Sequence, residues 1–128
     1  MRAQGTLASV ATLLGALISM PASAGGEDPE AELVRMRGEI RALAGNGRCD
    51  DVAHCRAIPI GKRDCGGPDE YVVFSTTTAK ADRLQAKALE YTRLHEEILR
   101  GKSGVGPCEI VLEPTLACIE QRCRAVEE

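Results

Sequence analysis

Six cysteines, Cys49, Cys55, Cys65, Cys108, Cys118 and Cys123, constrain this 128-residue chain more tightly than any other feature. An even number of cysteines in a short exported protein is the signature of a disulfide framework. Three disulfides are therefore expected. Six cysteines allow fifteen connectivities, so the count predicts a frame without its wiring.

The amino terminus predicts the compartment. Arg2 precedes an apolar run over residues 7–20 (LASVATLLGALISM), and Pro21-Ala22-Ser23-Ala24 ends in a small-x-small pattern that signal peptidase accepts. Residues 1–24 read as a secretory signal peptide cut after Ala24. The run falls short of the ~20 residues that a membrane-spanning helix needs, so no span is expected after cleavage. No cysteine stands at the cleavage point, which argues against a lipid anchor.

Removal of Arg2 takes the formal charge from -3 to -4. A mildly acidic chain lacks the basic stripe of a nucleic-acid binder, so no nucleic-acid partner is expected. Its aromatic residues are Tyr71, Phe74 and Tyr91, with no tryptophan. The core must therefore be aliphatic and thin, and a bridge closing a loop of ~15 residues would add ~3 kcal/mol by restricting the unfolded chain.

After a leader at residues 25–27, Asp28 and Pro29 form an N-cap and first-turn pair, with Glu30 and Glu32 placed to complement the helix dipole. Leu33, Met36, Ile40 and Leu43 recur at helical spacing until Gly45-Asn46-Gly47 ends the helix. Such a stripe rests on its own domain or serves a partner. Residues 48–67 read as loop with at most a short strand at about 56–60.

Residues 71–76 (YVVFST) are the best strand in the chain, with β-branched and aromatic residues on both faces. That pattern predicts a central place in the sheet. Thr77 or Thr78 is placed to cap a helix over residues 79–100, with Leu84, Ala88, Tyr91, Leu94 and Ile98 as its apolar stripe. Gly101 closes it, residues 102–107 form a loop, and residues 108–112, alternating at Ile110 and Leu112, predict another strand.

Two readings of the tail stand side by side. Leu116, Ile119, Cys123 and Val126 fit a helix opened by Pro114, whereas a two-residue turn at Glu120-Gln121 would make Cys118 and Cys123 cross-strand neighbours. Neither Glu nor Gln favours the positive φ of that turn.

The run Cys65-Gly66-Gly67-Pro68-Asp69-Glu70-Tyr71-Val72-Val73-Phe74-Ser75 resembles the motif of an uncharacterised family of small secreted or periplasmic bacterial cysteine-rich proteins. In that family a Cys-Gly-Gly-Pro turn leads into a strand ending in Ser, and a long helix follows. The chain then closes with a cysteine, a proline and a Cys-x4-Cys pair, here Cys108, Pro114, Cys118 and Cys123. The resemblance spans about residues 49–123, implies topology rather than chemistry, and favours the hairpin. The first disulfide expected is Cys118 with Cys123.

Several constellations invite chemistry. His54 and Cys55 near Cys49 lack the paired two-to-four-residue spacing of structural zinc ligands, and an oxidising compartment consumes thiols, so no metal and no cofactor is expected. A cysteine nucleophile needs a free thiol beside a histidine. Here all six cysteines can pair, and His95 beside Glu96 and Glu97 reads as a solvated face. Ser75 and Ser103 lack a nucleophile elbow. Asp50-Asp51, Asp69-Glu70 and Glu96-Glu97 read as surface acids, and Gly101-Lys102-Ser103-Gly104 lies in the wrong context for a phosphate loop.

The turn Gly66-Gly67-Pro68 remains as a candidate binding element, stiffened by Cys65 and Pro68. The fold expected is α+β: a small antiparallel sheet packed by one long helix, plus an amino-terminal helix over residues 25–47 with its leader, and a disulfide-stapled domain over 48–128. The role expected is a non-catalytic exported protein, periplasmic or secreted. It would act as a binding or envelope-associated module whose partner is an envelope or extracellular protein. The alternatives are a small secreted inhibitor presenting the Cys65-Pro68 turn and a small hydrolase or metal-dependent enzyme.

Overall fold

A computed structural model describes residues 28–102 and 108–127, together with positions 5, 11 and 15–18. The cleavage point, the leader at 25–27 and the loop at 103–107, with Ser103, lie outside the described residues. Of the apolar stretch before Met20, Leu17 and Ile18 stand almost fully exposed, apart from the core.

The first helix, α1, spans Pro29–Ala44. Asp28 starts it by accepting the Glu30 backbone N–H at 3.1 Å, and Pro29 sits where its missing donor is no loss. Met36, Ile40 and Ala44 from this helix are buried, with Leu33 and Leu43 packed beside them. The stripe thus serves the chain's own core.

The chain then runs through a single 3-10 turn at Val52–His54, capped by the Asp51 carboxylate, into β1, Cys55–Ile60. The strand β2, Glu70–Ser75, pairs with it antiparallel in the register Cys55 to Ser75 and Ile60 to Glu70. The second helix, α2, spans Ala81–Arg100 and lays Leu84, Ala88 and Tyr91 against Ile60, Phe74 and the α1 residues. One hydrophobic core, aliphatic apart from Phe74 and Tyr91, lies between the two helices and this strand pair.

The strands β3, Thr115–Ile119, and β4, Arg122–Val126, form a separate antiparallel pair. The tail is therefore a hairpin and not a helix. Glu120 and Gln121 occupy its turn with φ of 52° and 60°, the left-handed geometry that both residues disfavour. The hairpin is docked on the segment after α1 by Cys49 N–H donating to Gln121 O at 3.0 Å and Cys123 N–H donating to Gly47 O at 2.8 Å. The Arg122 guanidinium adds a bond to Asn46 O.

The fold is α+β, stapled by three disulfides: Cys49 with Cys118, Cys55 with Cys123 and Cys65 with Cys108. Four sequence expectations are corrected. Cys118 and Cys123 are cross-strand partners but not bonded to each other. Both side chains leave the same face of the hairpin, and that face lies on the segment carrying Cys49 and Cys55. Bridges of sequence separation 69 and 68 also restrict the unfolded chain far more than a five-residue one. Loop entropy alone gives about 4 kcal/mol against about 2.

Residues 108–112 form no strand; Ile110 and Leu112 are 70 % and 79 % exposed. Alternation belongs to one segment, while a ladder needs a free neighbouring edge at the right distance. β2 is not central, since it pairs with β1 alone, and only Phe74 and Ser75 in it are buried. Finally, α2 starts two residues later than expected, and Lys80 precedes it without a side-chain cap. Thr77 instead donates its hydroxyl to Arg48 O at 3.0 Å, and Thr78 and Ala79 N–H groups close a turn on Ser75 O.

Candidate functional site

The loop joining β1 to β2, residues 61–69, carries the candidate turn and is held from both ends. At its base, Gly61 N–H donates to Thr92 Oγ1 and Lys62 N–H donates to His95 Nδ1, each at 3.0 Å. Both acceptors project from one face of α2. The histidine expected on a solvated face is therefore a half-buried acceptor for loop backbone. A helix residue four after Tyr91 shares its face, and that periodicity was the signal available in the sequence.

Within the loop, Arg63 N–H donates to Gly67 O and Gly66 N–H donates to Arg63 O, both at 3.0 Å. Asp69 N–H then returns to Ile60 O at 3.0 Å and closes the loop onto the strand pair. Gly66 and Gly67 take φ of 96° and 77°, with open space where a side chain would stand. The disulfide from Cys65 to Cys108 fixes the tip, where Asp64, Cys65 and Gly67 are exposed. The result is a small loop tied to α2 at its base and closed by its own backbone hydrogen bonds above it.

Beside its base lies a polar cluster that sequence reading missed. The Arg37 guanidinium, from α1, donates to the Tyr91 hydroxyl at 2.7 Å and faces Glu70 at 3.3 Å and Asp69 at 3.5 Å. Partial burial opposes its charge, but the Tyr91 hydroxyl and the two carboxylates prevail and hold its pKa above the ordinary value. Arg63 approaches Asp69 from the loop at 3.8 Å. In the sequence Arg37 reads as one of several arginines off the apolar stripe; only the tertiary contact distinguishes it.

The remaining candidates are dispersed. Ser75 is fully buried, and its hydroxyl shares a 2.8 Å hydrogen bond with Thr77. Asp51 caps the 3-10 turn, Asp69 and Glu70 meet Arg37, and Glu96 pairs with Lys62 and Arg100. At least one acid of each candidate pair, and both in Asp69-Glu70, thus has a defined structural partner. All six cysteines are in disulfides. The sulfurs of Cys49, Cys55 and Cys123 nevertheless lie within 4.8 Å of one another, so two of the three bridges are adjacent. His54 sits beside them with a buried Nδ1 that has no hydrogen-bond partner among the described residues.

No family model, no curated protein and no solved structure matches this chain.

Proposed function

We propose that this protein is an exported, non-catalytic binding module, periplasmic or secreted, that docks a protein of the envelope or extracellular space through the turn at Cys65, Gly66, Gly67 and Pro68. The observation that carries this reading is the anchoring of the 61–69 loop: Cys65 is bonded to Cys108, Gly61 and Lys62 donate to Thr92 and His95 of α2, and backbone bonds close the loop on itself and on β1. A loop already fixed in one conformation loses little entropy on binding, so more of its contact energy is realised as affinity. The open space around Gly66 and Gly67 leaves the backbone there free for close approach.

Export is supported by chemistry. Three disulfides persist in an oxidising compartment and are rare where thiols are kept reduced. Among the described residues no helix is long and apolar enough to cross a membrane. The amino-terminal signal reading predicts a mature chain starting at Gly25. Fractionation followed by intact-mass measurement tests this directly. The expected product starts at Gly25 and lacks the six hydrogens of three thiol pairs, and a cytoplasmic full-length thiol form would refute it.

The binding test is capture from envelope extract by the native protein and by a Gly66→Leu/Gly67→Leu variant of unchanged disulfide content. Loss of a captured protein in the variant is expected. Equal capture by a folded variant removes the turn as the contact.

A further inference from the structure

Cys123 Sγ lies within 4.8 Å of both Cys49 Sγ and its own partner Cys55 Sγ, and Cys118 faces Cys123 across the hairpin. From this arrangement we propose that Cys49, Cys55, Cys118 and Cys123 form a thiol–disulfide exchange centre that takes a low-molecular-weight thiol and re-pairs as Cys49 with Cys55 and Cys118 with Cys123.

The direction of entry follows from burial. Cys49 and Cys55 are 1 % and 3 % exposed, whereas Cys118 and Cys123 are half-buried on the hairpin. An incoming thiolate attacks Cys123 Sγ, the bond to Cys55 breaks, and the electron pair leaves on Cys55 Sγ. The Cys55 thiolate attacks Cys49 Sγ, forming Cys49–Cys55 and expelling Cys118 as thiolate. The Cys118 thiolate then attacks Cys123 Sγ in the mixed disulfide, forms the cross-strand bond, and releases the small thiol. Two bonds break and two form, nothing is oxidised or reduced overall, and the thiol is regenerated with its proton.

The new bonds are within reach. Cys123 N–H donates outward to Gly47 O, so Cys118 and Cys123 are a non-hydrogen-bonded cross-strand pair. Such pairs have Cα atoms about 4.5 Å apart, inside the range that disulfides span. Cys49 and Cys55 flank the 3-10 turn, which brings the chain back on itself and their sulfurs within 4.8 Å. Cys65, Cys108 and Cys118 are outside this group of three sulfurs, and Cys118 joins it through its bond to Cys49 and its cross-strand pairing with Cys123.

Exchange changes what holds the hairpin. In the present pairing two covalent bonds tie it to the segment at 48–55; after exchange that attachment rests on the Cys49 to Gln121, Cys123 to Gly47 and Arg122 to Asn46 hydrogen bonds. The centre would thus convert a covalently clamped hairpin into a releasable one.

Trypsin reads the two states. Cleavage after Arg48 and Arg56 yields one peptide carrying both Cys49 and Cys55, and cleavage after Arg122 separates Cys118 from Cys123. The purified oxidised protein is incubated with substoichiometric glutathione, quenched in acid, alkylated and digested. The peptide of residues 49–56 is expected to appear free with an internal bridge, at a rate proportional to glutathione and with the link between Cys65 and Cys108 intact. Two results overturn the proposal: release no greater than in a thiol-free control, or release only in step with loss of the Cys65 link, which is general scrambling.

Discussion

Gly61 separates a position where the backbone must be glycine from one where it need not be. A Cβ there would stand 2.7 Å from Asp69 Cβ and 2.8 Å from His95 Nδ1, at φ +75°. Gly61→Ala must displace the histidine that accepts the Lys62 N–H, and should destabilise the fold by about 3 kcal/mol in urea unfolding. Gly66→Ala meets no atom within 4 Å and should cost only about 1 kcal/mol. Equal losses would mean that the loop base is not the anchored end. Tyr91→Phe removes the acceptor of Arg37 and should cost about 1 kcal/mol, reduced from a fully buried bond because the guanidinium is partly solvated. Three carboxyls add a pH dependence: Lys102 holds Glu30, Arg35 holds Glu32, and Lys62 with Arg100 holds Glu96, each below 4.5. A folded pKa below the unfolded one gives stability that is complete above about 4.5 and lost as pH falls through the folded values. Glu30 is exposed and Glu32 and Glu96 are partly exposed at the surface, so the acid-side decline should be shallow and should flatten further in high salt. A decline unaffected by salt would contradict these pairings.

The helices were legible as elements because their signals are local. Asp28, Pro29 and the spacing of Met36 and Ile40 fix α1 within a few residues, and Leu84, Ala88 and Tyr91 do the same for α2. The candidate turn was also legible, since Gly66-Gly67-Pro68 has few other uses. What anchors that turn was not, because Thr92 and His95 meet Gly61 and Lys62 only after thirty-odd residues of chain have folded back. The strand expected at 108–112 failed for the same reason in reverse: a good local pattern pairs with no strand among the described residues. The tail hairpin forms against the preference of its own turn residues, which points to its disulfides and its docking bonds as the stabilising terms. Replacing Glu120 and Gln121 by Asn and Gly should relieve the two positive φ angles and raise the unfolding midpoint, by about 1 kcal/mol in stability. No gain, with the hairpin register unchanged, would show that the turn carries no strain.

For the whole molecule, connectivity is the decisive variable, and it is the one that composition could not supply. Even the correct hairpin pointed to the wrong bond, because Cys118 and Cys123 are neighbours in the ladder while their sulfurs are shared with a segment nearly seventy residues away. The three bridges link β1, its following loop and the segment after α1 to residues 108–123, none of which belongs to the hydrophobic core cluster. The core itself contains only Phe74 and Tyr91 as buried aromatic residues. Removing a native disulfide from a small exported domain typically costs 2–5 kcal/mol, a large part of the whole margin of stability. The direct measurement is thermal unfolding of the purified protein before and after complete reduction with blocked thiols. The cooperative transition should vanish, or fall by tens of degrees, on reduction; a reduced protein that unfolds as sharply and at the same temperature would contradict the claim that covalent bridges hold this fold together.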